Sequence, residues 1–297
     1  MDRSVNHDDF AELVGYLKVD SGAMNQDDGF MIGVDFGGTS IKVALVEGGR
    51  ILRSTDVPTP ASEGPEAVLD AIARGVLEIE TNPRSVGVAI PGEVDGEGVC
   101  WGLPNVPGFR GVALNDGLTA RLRCPVAVEN DATTAALGEF KYGHGRNYPS
   151  FLMVTLGTGI GGGLVIGGEL YPGSNGFGGE IGHINIDPSP DAPLCGCGKR
   201  GCVEAFAGTA ALIREYQRNG GPLVSEIKPI SEAARAGDEA AKKTWHQMGR
   251  AVGLGLSGIQ NTLDLNAIVF TGGISRSFDL LEAGVREGLK ERCFAIP

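Results

Sequence analysis

Two glycine-rich turns, each lying between two apolar segments, constrain the fold of this chain most. The first half opens on an apolar segment at residues 31–36, which leads through Gly37-Gly38 into an alternating segment at 41–46. The second half repeats this pattern, because an apolar segment at 151–156 is followed by a glycine-rich turn at 157–163 and an apolar segment at 164–166. Such runs bounded by glycine are typical of β-strands. We therefore predict two related halves, each beginning with a strand, a turn and a strand.

Apolar periodicity predicts the remaining elements. Those of the first half are a strand at 50–57 that completes an antiparallel meander, a helix at 66–79, strands at 86–90 and 126–128, and a helix from Asn130-Asp131 to Tyr142. Those of the second half are a loop-rich region at 171–201, helices at 209–219 and about 239–263, a strand at 267–270 and a helix at 278–290. Alternating strands and helices predict an α/β fold, here two lobes with a cleft between them.

We divide the chain into an extension at residues 1–29, an N-terminal lobe at 30–142 and a C-terminal lobe at 143–297. Phe10, Leu13, Val14 and Leu17 recur at helical spacing, so the acidic extension is predicted to hold one short amphipathic helix. No apolar segment typical of a signal peptide is visible. Met24 and Met31 are alternative starts, so the extension is expected to be dispensable.

The charge balance excludes several classes of partner. The 297 residues carry a net charge of −12 and have a sequence pI near 4.8. Nucleic acids and anionic membranes both favour basic surfaces, so neither is an expected partner. Residues 147–168 are uncharged but rich in glycine, which favours strands and a turn over a membrane-spanning helix.

Three of the six cysteines are clustered, and a histidine lies shortly before them. Glu180-Ile181-Gly182-His183 precedes Cys195, Cys197 and Cys202, and Glu204 follows. One imidazole and three thiolates suit tetrahedral Zn²⁺, and four protein ligands indicate a structural role. The alternative is a set of buried free cysteines. A single metal-type cluster, without a disulfide framework, favours a reducing cytoplasm.

Three glycine turns that follow strands are candidate phosphate sites. A carboxylate at a strand end can hold Mg²⁺ or its waters, and glycines let backbone N–H groups approach a phosphate. The pattern is neither a Walker loop nor a Rossmann fingerprint, and each turn taken alone is equally compatible with a plain hairpin. The candidate residues are Asp35, Gly37, Gly38, Thr39 and Lys42 in the first turn, Gly157, Thr158 and Gly159 in the second, and Gly272 and Gly273 in the third.

Together these motifs resemble the ROK family of repressors and sugar kinases, and most closely its bacterial glucokinases. The resemblance runs in order from about Met31 to the C-terminus. Its matching segments are I-G-V-D-F-G-G-T-S-I-K-V-A at 32–44, A-I-P-G at 89–92, N-V-P-G-F at 105–109, V-E-N-D-A at 128–132, T-L-G-T-G-I-G-G-G at 155–163, G-G-E-I-G-H-I at 178–184, C-G-C-G-K-R-G-C-V-E at 195–204 and F-T-G-G-I at 270–274.

The resemblance implies an actin-like, ribonuclease-H-like two-lobed ATPase fold with an interlobe cleft and a zinc loop at residues 180–204. It also implies Mg-ATP as phosphoryl donor and a hexose as acceptor. We further expect a homodimer or higher homo-oligomer. Asp131 matches the family's catalytic base and also belongs to its sugar site. The other sugar-contacting positions are Asn105, Asn130, Glu180, His183 and Glu204, and the zinc ligands are His183, Cys195, Cys197 and Cys202.

Several alternatives remain open from the sequence. The acceptor can be D-glucose, N-acetylmannosamine, N-acetylglucosamine, fructose or allose, and the donor can be ATP or polyphosphate. A family repressor requires a basic winged helix, which the acidic extension does not supply. A sugar-sensing protein without turnover is a further alternative, because the chain ends early relative to the family pattern.

Overall fold

The computed structural model describes residues 30–103 and 106–294. The predicted helix through residues 10–17 therefore lies outside the described residues. The described part contains parallel and antiparallel strands together with helices, and the predicted α/β class is confirmed.

The first sheet contains five described strands in the order β3-β2-β1-β4-β8. The first three form the predicted antiparallel meander, and β4 and β8 extend it in parallel. Because strands in the middle of the sheet are covered on both faces, β1 and β4 read as near-continuous apolar runs. The bounds of these strands are Met31–Phe36 for β1, Ser40–Glu47 for β2, Arg50–Pro58 for β3, Val86–Ile90 for β4 and Val126–Asn130 for β8.

Three helices accompany this sheet. Helix α1 (Pro65–Ile79) begins at a proline, where the missing N–H costs nothing, and buries the predicted apolar stripe. Helix α2 (Leu114–Leu122) packs beside it, and α3 (Asp131–Tyr142) starts directly after β8. The start of α3 is therefore set by the end of a parallel strand, where ligand sites of α/β proteins commonly lie.

A second sheet has four described strands in the order β11-β10-β9-β12. Strand β9 agrees with the prediction, but β10 begins at Ile160, so the predicted turn at 157–163 is wrong in its second half. The glycines of β10 make this strand resemble a turn in the sequence. Packing explains one of them, because a Cβ at Gly163 would collide with Ala136 of α3. The bounds are Phe151–Leu156 for β9, Ile160–Ile166 for β10, Glu169–Leu170 for β11 and Ala267–Thr271 for β12.

The remaining described helices follow the loop-rich region. The predicted helices at 209–219, 239–263 and 278–290 are confirmed to within two residues, whereas two short helices, α4 and α6, have no sequence prediction. The bounds are Val203–Ala207 for α4, Thr209–Arg218 for α5, Lys228–Arg235 for α6, Glu239–Leu263 for α7 and Phe278–Arg292 for α8.

A small antiparallel sheet was also not predicted. Its strands have two to four residues each, which is too short for an alternating pattern to be recognised. They are β5 (Glu93–Val94), β6 (Val99–Gly102) and β7 (Val112–Ala113).

By their internal contacts the described residues divide into two compact units. The first runs to Phe151 and includes Gly163–Gly179, and the second comprises Leu152–Gly162 and the residues from Glu180 onward. The predicted lobes differ from these units, since they divide the chain once, after residue 142. That lobe boundary stays a prediction. Within the described residues, none of the helices combines the length and the apolar character needed to cross a membrane.

Candidate functional site

The four predicted zinc ligands lie together in the second unit. Among the described residues, the ligand atoms of His183, Cys195, Cys197 and Cys202 all lie within 4.8 Å of one another. The imidazole Nδ1 of His183 is 3.6 Å from the Sγ of Cys195, and the Sγ atoms of Cys197 and Cys202 are 3.8 Å apart. The predicted cluster is therefore brought together as one group of four donors.

Local backbone geometry explains how a short segment assembles these donors. The backbone N–H of Cys195 donates to the carbonyl of Lys199, and the N–H of Gly198 donates back to the carbonyl of Cys195. Gly201 has a φ of 78°, and a Cβ there would collide with the carbonyl of Asp187, so only glycine fits. Glycine spacing thus lets the loop close upon itself.

The donor set fits a tetrahedral Zn²⁺. Zn–S and Zn–N bonds of about 2.3 and 2.0–2.1 Å imply edges of roughly 3.8 Å between two sulfurs and roughly 3.6 Å between sulfur and nitrogen. The two distances above match these edges. Burial raises the pKa of Cys195 to about 12, so in the absence of a cation this thiol is neutral at pH 7. A metal bound here would displace protons from the thiols.

Glu180 lies on the other side of the His183 ring. Its Oε2 is 3.7 Å from the Nε2 of His183, whose Nδ1 faces the cysteines. The two ring nitrogens are therefore divided between the metal group and a carboxylate. This is the arrangement that orients a ligating imidazole in many metal sites.

Glu204 connects the metal group to the second glycine turn. Its Oε2 accepts a hydrogen bond of 3.0 Å from the N–H of Ile160, and its Oε1 lies 3.5 Å from the Sγ of Cys195, which donates to it. A Cβ at Gly159 would lie 2.5 Å from Oε2, so a side chain there would force the carboxylate to shift. The glycine turn and the zinc loop therefore share one carboxylate.

Two further contacts hold the same turn. The carbonyl of Gly157 accepts from both the N–H of Thr209 at 3.1 Å and its Oγ1 at 2.9 Å. Gly272 has a φ of 89°, and a Cβ there would lie 2.5 Å from the carbonyl oxygen of Leu156, whereas Gly273 faces open space. Thr209 was not predicted as a site residue, and its position at the first residue of a helix was the only available signal.

The first glycine turn ends β1 in the first unit. The N–H of Gly37 donates to the carbonyl of Ser40 at 2.9 Å, and the hydroxyl of Thr59 donates to the carbonyl of Gly37 at 2.7 Å. Nothing lies within 4 Å of where a side chain of Gly38 would be, and Thr39 is exposed. Backbone room for a phosphate therefore lies at residues 38–39, because Gly37 already uses its N–H within the turn.

Charged side chains form a row across the first sheet beside this turn. Asp35 of β1 lies opposite Lys42 of β2, and Lys42 lies opposite Asp56 of β3. Burial raises the pKa of Asp35 above its ordinary value, the charge of Lys42 opposes this rise, and Asp56 adds to it. A carboxylate with this environment favours a neighbouring cation.

The corner between β8 and α3 presents Asp131. The side chain of Asn130 caps α3, because its Oδ1 accepts from the N–H of Thr133 at 3.1 Å, while its Nδ2 donates to the carbonyl of Gly92 at 3.1 Å. Asp131 is the first residue of the helix, and its Oδ1 accepts from the N–H of Ala132 at 2.7 Å. Its carboxylate thus lies at the positive end of the helix dipole.

Asn115 was missed by sequence reasoning, although it supports this corner. Its Oδ1 accepts from the N–H of Val128 at 3.0 Å. This hydrogen bond gives a partner to a backbone donor on the edge strand β8, three residues before Asp131. No spacing in the sequence links the two segments. Asn105, another predicted sugar contact, lies outside the described residues.

Comparisons with known proteins give consistent matches. Residues 31–295 match the ROK family. The chain is 37% identical to the glucokinase of Streptomyces coelicolor over 88% of its own length and 87% of that protein, and 33% identical to the N-acetylmannosamine kinase of Shigella flexneri over 82% and 83%. A crystal structure of a ROK family glucokinase from Streptomyces griseus in complex with glucose and AMPPNP aligns with a TM-score of 0.73 at 35% identity, covering 90% of both chains. All three similarities extend over more than four fifths of each chain.

Proposed function

The chain belongs to the ROK family, and from this we propose that it is a sugar kinase that phosphorylates D-glucose to glucose 6-phosphate at the expense of ATP. The observation that carries the proposal is its similarity to the Streptomyces griseus glucokinase, whose structure contains glucose and AMPPNP. The glucokinase relative from Streptomyces coelicolor is also more similar to this chain than the N-acetylmannosamine kinase relative is.

We assign Asp131 as the general base. Phosphoryl transfer requires the acceptor hydroxyl to lose a proton while its oxygen bonds to the γ-phosphorus and the bond to the leaving ADP breaks. A carboxylate at the first residue of α3 lies at the positive end of the helix dipole, and such a positioned carboxylate can take that proton. The hydrogen bond from the N–H of Ala132 occupies Oδ1 and holds the orientation of the carboxylate.

Sugar recognition is assigned to a set of polar side chains. Glu180, His183 and Glu204 offer acceptors and donors to a ring of hydroxyl groups, and a buried partner left unpaired costs about 1–3 kcal/mol. A sugar that lacks one matching hydroxyl would therefore react roughly ten- to a hundredfold less efficiently. The full set of proposed sugar-binding residues is Asn105, Asn130, Asp131, Glu180, His183 and Glu204.

Phosphate binding is assigned to the glycine turns. Thr39 and the open backbone beside Gly38 offer donors, and Asp35 with Lys42 supplies charge next to them. Mg²⁺, when bound, screens the phosphate charge, and Asp35 is the residue we expect to hold it or its waters. The remaining assigned residues are Gly37 in the first turn, Gly157, Thr158 and Gly159 in the second, and Gly272 and Gly273 in the third.

A structural Zn²⁺ in the Cys₃His group would keep Glu180, His183 and Glu204 in position. All four donors are used, so no position remains for a substrate on the metal. We further propose that the protein acts in the cytoplasm, where its thiols stay reduced, as a homodimer or higher homo-oligomer. Light scattering would test the assembly by giving a mass of at least about twice the 30.8 kDa of one chain.

A coupled ADP-release assay tests the function. The panel contains glucose, mannose, N-acetylmannosamine, N-acetylglucosamine, fructose and allose, each with ATP and then with polyphosphate as donor. We expect glucose with ATP to give the highest kcat/KM. Asp131→Asn, purified in parallel, controls for contaminating kinases.

Two results would change the proposal. An N-acetylhexosamine preferred tenfold over glucose would establish the second candidate, which the Shigella flexneri relative favours. Binding of glucose without release of ADP would indicate a sugar-sensing protein.

A further inference from the structure

Ile160, the first residue of β10, contacts both segments that carry the metal ligands. Its N–H donates to the Oε2 of Glu204, which follows Cys202 by two residues. Its carbonyl oxygen lies against Gly182, the neighbour of His183, so closely that a Cβ there would collide with it. The end of the glycine turn is therefore held between the two sides of the zinc loop.

Glu204 is the side chain that lies between the Cys₃His group and the glycine turn at residues 157–160. One carboxylate oxygen accepts from Ile160 at 3.0 Å, and the other lies 3.5 Å from the Sγ of Cys195, a contact whose thiol proton a bound metal would displace. Cys202 is the N-cap residue of α4, so fixing Cys202 also fixes the helix on which Glu204 lies. Carboxylates next to metal ligands orient those ligands and are oriented by them.

Thr209 holds the same turn by a route that avoids the metal group. Its N–H and hydroxyl both donate to the carbonyl of Gly157. Among the described residues, neither of these two atoms hydrogen-bonds to a residue of the Cys₃His group. Thr209→Val removes one of these two bonds and leaves Glu204 in place, which makes it a matched control.

We propose that Glu204 couples the zinc loop to the glycine turn, so that metal in the Cys₃His group determines how firmly residues 157–160 are held. Binding of a structural metal stabilises the folded form of the segment that carries its ligands. That stabilisation passes to the turn through the bond between Glu204 and Ile160. A metal-dependent affinity for nucleotide phosphates would follow, and this consequence alone rests on the proposed function.

Hydrogen exchange of the Ile160 amide measures the coupling without any substrate. The full-length chain is compared with zinc bound and after chelation, for the wild type, Glu204→Ala, Glu204→Gln and Thr209→Val. Elemental analysis gives the zinc content of each sample. The Gly37 amide, which donates to Ser40 in the first unit, serves as an internal reference.

We expect chelation to raise exchange at Ile160 about tenfold in the wild type, the effect of losing one hydrogen bond. Glu204→Ala should produce the same rise with zinc still bound, and chelation should then add less than twofold. Glu204→Gln should retain protection, because its amide oxygen can still accept from Ile160. In Thr209→Val the effect of chelation should remain tenfold.

The proposal is overturned if the purified chain binds no zinc, if chelation leaves Ile160 exchange unchanged, or if the effects of chelation and Glu204→Ala multiply. If exchange at Gly37 also rises on chelation, the chain unfolds globally and hydrogen exchange no longer reports on the turn. The zinc affinity of the variants then tests the proposal. Coupling is reciprocal, so two effects of Glu204→Ala should be equal in size. The variant should weaken zinc binding by the same factor by which it raises exchange at Ile160 in the zinc-loaded chain. Unchanged zinc affinity would overturn the proposal.

Discussion

The side chain of Asn130 has backbone partners at both of its polar ends. It accepts from Thr133 at the start of α3 and donates to Gly92 beyond the end of β4. Its place in V-E-N-D-A predicts a sugar contact, and that role stays a prediction. The observed bonds show a second role, because they fix the position from which the helix and Asp131 begin.

Replacing Asp131 by asparagine should abolish proton acceptance while keeping the shape of the side chain. We expect kcat to fall by about 10²–10⁴-fold, the usual contribution of a positioned base. Calorimetry should show glucose binding within a few-fold of the wild type. Asp116→Asn, the same change in the first turn of α2, should leave kcat unchanged. Turnover of Asp131→Asn at the wild-type rate would remove Asp131 from the mechanism.

Asp35 is expected to lower the stability of the folded chain while supporting the binding of nucleotide phosphates. Burial raises its pKa, so the ionised carboxylate destabilises the folded chain above that raised pKa, and this penalty is absent below its ordinary pKa of about 3.9. We therefore expect Asp35→Asn to raise the Tm at pH 7 while lowering the affinity for AMPPNP with Mg²⁺.

The pH dependence of this stability difference provides the check. The Tm advantage of Asp35→Asn should shrink as the pH falls towards 4, because the wild-type carboxyl then becomes protonated. Asp56 adds to the raised pKa of Asp35, so Asp56→Asn should give a smaller change of the same sign. An advantage that grows with falling pH would contradict the assignment.

At the scale of elements, the zinc loop is the described segment that we expect to depend most on a bound ion. We expect one Zn²⁺ per chain and a fall in Tm when a strong chelator removes it. The stabilisation lost is about 2.7 kcal/mol if free zinc was present at one hundred times its dissociation constant. Sugar binding should weaken together with the Tm, because Glu180, His183 and Glu204 all lie on this loop.

Two serine variants separate metal loss from general thiol chemistry. Cys202→Ser should lose zinc and reproduce the effect of the chelator. Cys293→Ser, at a half-buried thiol outside the cluster, should retain zinc and stability. A folded, active preparation that contains no zinc would contradict the assignment.

Helices α7 and α8 depend on glycine for their close approach. A Cβ at Gly253 would collide with the carbonyl of Val285 and lie 2.9 Å from the N–H of Leu289, and Gly284 of α8 meets the α7 backbone in the same way. Gly253→Ala should therefore lower the free energy of unfolding by about 1–3 kcal/mol or more. Denaturant titration measures this loss.

Gly258 on the same helix provides the matched control. It is exposed, and nothing lies within 4 Å of an added Cβ. Gly258→Ala should stabilise the chain by up to about 1 kcal/mol, because alanine is the better helix former. Equal effects of the two substitutions would show that the helices separate at little cost.

At the scale of the whole molecule, the match to the ROK family extends from residue 31 to residue 295. The sequence motifs follow the same order, so the fold class and the kinase chemistry were both predictable. The division into two compact units was less predictable. The chain passes between the units three times, after residues 151, 162 and 179. The boundary predicted from the sequence divides the chain only once, after residue 142.

The sequence by itself determined what depends on neighbouring residues. The strands and long helices follow from apolar periodicity, the start of α3 from the capping side chain of Asn130, and the metal group from thiols spaced by glycine within one loop. Only the tertiary structure decided the contacts between distant segments. Glu204 reaches Ile160 across 44 residues, Asn115 supports β8, and Gly253 admits α8. A pattern in sequence encodes local backbone preference, whereas these contacts exist only once separate elements have packed and left room for one particular side chain.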